Sequence, residues 1–246
     1  MRAEDVEPRL RALGFTERDA RTLGDHFLAA EARGKQGHGF SRVEWLETLE
    51  LDPGARPRRE VHEPEFERWD GNGALGYLTL AAIVETTVMN RPEYARVIVA
   101  RRTFPTGMLG YWVRKLADGG LAAALTATSP RRLAHPDGGP KLAGTNPLAI
   151  AIPSSDGEPI VCDVSMGRVT YGDVLAGLAD EAELVPFGGE HAHKAFALAV
   201  GLQLLVDALA GEEHGAVLVL ARPEHDPVPA FRTLAKGLRL PGDERG

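Results

Sequence analysis

The residues best suited to chemistry lie in Arg33-Gly34-Lys35-Gln36-Gly37-His38-Gly39-Phe40-Ser41-Arg42. His38 stands between two glycines, in a segment read as a loop between two helices. A histidine there has little packing to do, and glycine lets a ligand approach the backbone closely. Its ordinary pKa of about 6.5 suits proton transfer at neutral pH. Arg42, four residues on, can offer a planar fork to a carboxylate. Together they make half of an oxo-acid site, one group to protonate the substrate and one to orient it. Taken alone, the same residues also fit a plain surface turn.

A second stretch, Gly138-Gly139-Pro140-Lys141-Leu142-Ala143-Gly144-Thr145-Asn146-Pro147-Leu148, sits between a loop and a strand. It offers backbone amides and short hydrogen-bonding side chains of the kind a nucleotide or small acid needs, although by itself it reads as a structural turn. Gly71-Asn72-Gly73-Ala74-Leu75-Gly76 fits the G-x-G-x-x-G dinucleotide pattern. Three features argue against that use. The preceding Phe66-Glu67-Arg68-Trp69 is charged where a Rossmann strand is apolar, Asp70 would oppose a phosphate, and no strand ending in an acid follows at the expected interval. The segment reads as a tight turn that starts a helix. His191 and His193 have no third ligand at a metal-site spacing, so no metal is expected.

The elements that must position these groups can be traced from hydrophobic periodicity. Val6, Leu10 and Leu13 share a helical face before Gly14. Thr16 with Asp19 starts a second helix, which carries Leu23, Phe27 and Ala30 inward, and a third follows Phe40-Ser41 with Trp45, Leu46 and Leu49 inward. Val61 to Trp69 is expected to be extended, with Pro64 marking an edge. Helices are expected at Tyr77–Met89, Leu109–Ala117, His193–Leu209 and Pro229–Gly237. Strands are expected at Arg96–Ala100, Leu121–Ala127, Leu148–Pro153, Pro159–Val164 and Ala216–Leu220. Interleaved helices and strands give an α/β chain with α+β character, and the short turns between consecutive strands favour antiparallel pairing. The expected organisation is a helical segment, 1–60, packed as one unit on a sheet-containing part, 61–246.

The 246 residues suffice for a substantial core, and the net charge of −7 argues against a nucleic-acid partner. The single cysteine, Cys162, excludes an intramolecular disulfide and reads as a core residue. No apolar stretch was expected to reach bilayer length and no signal peptide is seen at Met1-Arg2-Ala3-Glu4-Asp5, so a cytoplasmic protein without membrane contact is expected.

In this order and separation, the blocks resemble the malate/L-lactate dehydrogenase-like family of non-Rossmann NAD(P)-dependent oxidoreductases. The counterparts are Arg33 to Arg42, Asp70 to Gly76, Thr103 to Gly107, Gly138 to Pro147, Val161 to Gly167, Lys194 to Ala199, and Pro241 to Asp243. The resemblance implies a mostly antiparallel sheet flanked by helices, a homodimer, and NADPH or NADH as cofactor. It places the proton donor on His38, its orienting acid on Asp163, and substrate contacts on Arg42 and Thr145. It places cofactor contacts on Gly107, Gly144, Thr145, Asn146, Ser165, His193 and Lys194. The implied reaction is reduction of a small 2-imino or 2-oxo acid, with hydride going to C2.

The chain departs from the family pattern around this site. Gly37 replaces the usual serine, Pro105 replaces a second histidine, Ser165-Met166-Gly167 replaces Ala-Thr-Ser, and Ala195 and Ala197 replace glycines. A family segment is also missing between Gly172 and Pro186, and the chain ends early for the family. The alternative reading is therefore an inactive paralogue that binds a small acid or a protein.

Overall fold

The computed structural model describes residues 1–243, whose elements follow the expected order. Three helices open the chain: α1 (Ala3–Ala12), α2 (Glu17–Ala32) and α3 (Ser41–Leu46), with a 3₁₀ turn at Gln36–His38 between the last two. Thr16 caps α2 by accepting the Asp19 amide, satisfying a helix-end donor as its sequence position predicts. There follow β1 (Arg58–His62), β2 (Phe66–Asp70), α4 (Gly76–Met89), β3 (Ala95–Arg101) and α5 (Leu109–Asp118). The chain continues through β4 (Ala122–Ala127), β5 (Leu148–Ile152), β6 (Ile160–Val164), α6 (Tyr171–Leu175), α7 (Ala192–Ala210), β7 (Ala216–Ala221) and α8 (Val228–Ala235).

The seven strands form one sheet in the order β1-β2-β3-β7-β4-β5-β6. Only β2 and β3 pair in parallel; the other neighbours are antiparallel. The mostly antiparallel α/β expectation holds. Two local expectations need correction. The stretch read as one extended segment around Pro64 is a hairpin, because Pro64 falls in the turn and β1 takes the edge. The five-residue α6 was not expected at all; Thr170 and Asp173 cap each other at its start.

Alternation along the strands separates the two faces of the sheet. Ile98, Ala123, Leu125, Leu218 and Leu220 join Leu10, Leu23, Phe27, Ile83 and Trp112 in the main core, so the N-terminal helices and the sheet share one interior. Val99 and Val217 face the other way and pack on Val206 and Ala210 of α7. Contrary to the sequence expectation, the helical stretch Gly189–Ala210 is long and apolar enough to cross a membrane by length and composition. In the fold it lies against β3, β4 and β7. Its buried positions Ala195, Ala199, Gln203 and Val206 face the protein.

Turn chemistry also settles the glycine motif. Asp70, just before it, is ion-paired with Arg101 and Arg102 and accepts the Asn72 amide, so the turn is structural.

Candidate active site

His38, at the end of the 3₁₀ turn, and Arg42, in the first turn of α3, both line a cavity of about 530 Å³. The loop that carries them is held by side chains. The Phe40 amide donates to Glu31 Oε1 at 2.7 Å, and Ser41 Oγ donates to the Gln36 carbonyl at 3.0 Å. Arg42 donates from Nε to the Gly37 carbonyl at 2.8 Å, and its guanidinium lies 5.1 Å from the Trp45 ring centre. It is buried, and no carboxylate pairs with it among the described residues. A buried cation without a counter-ion is unusual and well placed to take an anion.

His38 Nδ1 is buried without a hydrogen-bond partner. Burial pushes the imidazole pKa well below its ordinary value, and the charge of Arg42, with smaller effects of His26 and Lys35, pushes it the same way. The expectation that Asp163 orients His38 and raises its pKa does not match this geometry. Asp163 lines the cavity, but its Oδ2 accepts from Lys35 Nζ at 2.9 Å and from the Gly110 amide at 3.0 Å. Lys35 is the residue that sequence reasoning passed over, although it lies in the same glycine-rich block.

Of the other expected contacts, Gly107, Thr145 and Ser165 line the cavity. Ser129 joins them: its hydroxyl accepts the Thr145 amide at 3.1 Å. Gly144 and Asn146 serve the framework instead. The Gly144 amide donates to Gln203 Oε1, and fully buried Asn146 ties its loop to α7 through the Ala199 carbonyl and Gln203. His193 and Lys194 are exposed on α7 and stand outside the cavity, because the inward face of that helix is taken by Ala195, Ala199 and Gln203. No group of metal-binding side chains occurs among the described residues.

Thr170, Tyr171, Gly172 and Asp173 close one wall of the cavity. Here the sequence departure at Gly37 has a physical cause. A Cβ on Gly37 would meet Asp173 Oδ1 and stand 2.6 Å from the Asp173 amide nitrogen and 2.8 Å from the Gly172 carbonyl carbon. Reciprocally, a Cβ on Gly172 would strike the Gly37 carbonyl oxygen and Arg42 Nη2. The start of α6 occupies the space that a serine at position 37 would need.

His26 of α2 lies behind the cavity wall, buried beside Tyr77, Tyr111 and Trp112. Its Nε2 accepts the Met108 amide at 3.0 Å, which puts the ring proton on Nδ1. Burial pushes its pKa down to about 3, so this ring stays neutral.

Fold and site together define a non-Rossmann α/β protein whose cavity brings a buried guanidinium and an imidazole together. The sequence profile described as malate/L-lactate dehydrogenase matches residues 4–182, and the chain belongs to that family. Malate dehydrogenase of Pyrococcus horikoshii is 27% identical over 239 residues, covering 82% of this chain and 64% of that protein. The Delta(1)-pyrroline-2-carboxylate/Delta(1)-piperideine-2-carboxylate reductase of Pseudomonas putida is 29% identical over 229 residues, covering 80% of this chain and 66% of that protein. A second malate dehydrogenase, from Pyrococcus abyssi, is covered over 46% of its length, so the chain spans about half to two thirds of these curated relatives. The fold matches a Sinorhizobium meliloti dehydrogenase with a TM-score of 0.80 at 24% identity, covering 98% of this chain and 84% of that one. It also matches the delta1-piperideine-2-carboxylate reductase of Pseudomonas syringae pvar. tomato, with a TM-score of 0.80 at 22% identity and coverage of 98% and 89%.

Proposed function

We propose that the chain reduces a small 2-oxo or 2-imino acid with NADPH or NADH, using His38 as proton donor and Arg42 as carboxylate anchor. The observation that carries this reading is the buried Arg42 guanidinium, which has no carboxylate counter-ion among the described residues, in the same cavity as an imidazole whose Nδ1 lacks a partner. The two groups are also coupled. Arg42 is one cause of the low His38 pKa, so a substrate carboxylate seated on Arg42 cancels that charge and raises the pKa of the donor as it binds. The acid is thus strengthened when substrate is present, without direct contact from Asp163.

The cavity residues fit a dinucleotide in part. Arg132 Nε is buried without a partner, its guanidinium stacks on Tyr171, and the residue borders both the first cavity and a second one of about 630 Å³. Thr145, Ser129 and Ser165 offer short hydrogen-bonding groups on the His38 side. When bound, the cofactor supplies hydride to C2; His38 delivers the proton to the oxygen or nitrogen, and α6 limits water on that side. A homodimer is part of the same reading. It is supported by an apolar surface in which Leu198, Leu204, Leu205 and Leu209 of α7 are exposed together with Val219 of β7, and a second copy would cover that surface. Sedimentation as a monomer at micromolar concentration rejects that element.

The pairing of Asp163 with Lys35, and the absence of the family's serine at position 37 and histidine at position 105, give the binding-only reading its support. Fluorescence of NADH and NADPH on adding protein separates the two. Reductase function requires that one dinucleotide bind below millimolar concentration and that His38→Ala abolish turnover while leaving that binding intact. Failure of both dinucleotides to bind leaves only the binding-module reading.

A further inference from the structure

Tyr77 lies in the first turn of α4 and is only 1% exposed. Its ring meets His26 edge-on at 4.9 Å and Phe27 at 5.4 Å. Such packing explains the ring but not the hydroxyl, which is buried without a hydrogen-bond partner. Hydroxyls in that condition are rare in folded proteins, and a phenylalanine would fill the same space without the desolvation cost.

The hydroxyl belongs to a residue that lines the cavity of His38 and Arg42, and the charge of Arg42 is felt at it. Its position is set by backbone packing on both sides. The Gly76 amide donates to the Phe104 carbonyl at 3.3 Å, and a Cβ on Gly76 would stand 2.6 Å from the Pro105 carbonyl oxygen. Across the ring, Gly107 is packed so closely that a Cβ there would strike Tyr77 and His26. A rigid phenol is therefore held beside the turn that contributes Pro105, a residue with no side-chain donor of its own.

We propose that the Tyr77 hydroxyl donates a hydrogen bond to the C2 oxygen of a bound 2-oxo acid, alongside His38. The assignment rests on the reductase reading for its catalytic meaning, though not for its binding test. Arg42 takes the carboxylate, and the oxygen that gains negative charge as C2 is reduced receives two donors, His38 and Tyr77. Donors fixed in advance at a developing oxyanion act mainly on the transition state. Tyr77 transfers no proton in this scheme; the proton comes from His38.

The test compares wild type with Tyr77→Phe, which keeps the ring and its packing. Oxamate, an unreactive 2-oxo acid mimic, is titrated without dinucleotide by tryptophan fluorescence. The variant should bind it roughly tenfold more weakly, the loss of one hydrogen bond. Its melting temperature should be unchanged or higher, since no internal hydrogen bond is removed. For any 2-oxo acid the wild type reduces, kcat should fall by roughly a hundredfold, and KM should rise by no more than roughly the tenfold seen with oxamate. Equal oxamate affinity in the two proteins overturns the assignment, as does no oxamate binding by the wild type. A drop of several degrees in melting temperature also overturns it, by making the hydroxyl structural. Failure of dinucleotide binding alone sinks the reductase reading while the oxamate comparison still decides the role of the hydroxyl.

Discussion

Gly37→Ser restores a side chain where α6 now lies, and the structure sets the size of the response. The new Cβ would stand 2.6 Å from the Asp173 amide nitrogen, against at least 3.4 Å for ordinary contact, so α6 must retreat by roughly 0.8 Å. The obstacle is backbone, which cannot turn aside as a flexible side chain can. Nor can Asp173 swing freely, because its Oδ2 accepts both the amide and the hydroxyl of Thr170 at 2.8 Å. Overpacking of this kind costs about 2 kcal/mol, within a range of roughly 1–3. For a chain of this size that lowers the melting temperature by about 4–8 °C. Gly172→Ala presses on the same contact from the other side and also displaces the Arg42 fork, so it should be comparably destabilising and should weaken oxamate binding. One retreat of α6 relieves both intrusions, so the double variant should lose clearly less than the two single losses added together. Differential scanning calorimetry of the four proteins measures all of this. A Gly37→Ser protein melting within 1 °C of wild type would refute the argument that α6 excludes a side chain at this position.

Two further outcomes follow from the buried imidazoles and their neighbours. Lys35→Met removes one of the charges that depress His38 and frees the Asp163 carboxylate from its ion pair, so the His38 pKa should rise; an NMR titration in which it stays put or falls rejects the electrostatic account. His26 has a folded pKa of about 3 against an ordinary 6.5, so the unfolded chain binds the proton first as the pH drops. Its contribution is intact above pH ~6.5 and is lost progressively below it, by about 2 kcal/mol at pH 5. His26→Gln, whose amide oxygen can still accept from Met108, should therefore lose less stability than wild type between pH 7.5 and 5. Parallel losses in the two proteins would show that His26 does not titrate on unfolding.

Local signals in the sequence were sufficient for most elements. The Thr16 cap, the helical face of α2, and the short apolar runs of β3 and β7 depend on neighbours within a few positions, and such physics can be read along the chain. The same holds for the pairing of His38 with Arg42 in one cavity, since both sit on one short loop and helix start. Pro64 misled because a proline in a charged stretch fits an edge strand and a turn equally well. The five residues of α6 carry too little periodicity to be seen.

Partners across the fold were another matter. Whether Asp163 faces His38 or Lys35 depends on where β6, the last strand in the sheet order, meets a loop 128 residues earlier, and on which side chain reaches it first. His26 and Tyr77 looked like ordinary helix residues until packing set them behind one cavity, one with its Nδ1 unpartnered and one with its hydroxyl unpartnered. By itself the sequence determined the sheet class, the loop that bears the imidazole and the guanidinium, and the family. Tertiary structure alone decided that Asp163 is paired with Lys35, that α6 forbids a side chain at Gly37, and that Tyr77 lines the cavity with its hydroxyl buried and unpartnered. The physical reason is that ion pairing, desolvation and backbone contact act over a few ångströms of space, between groups whose separation in the chain carries no information about them.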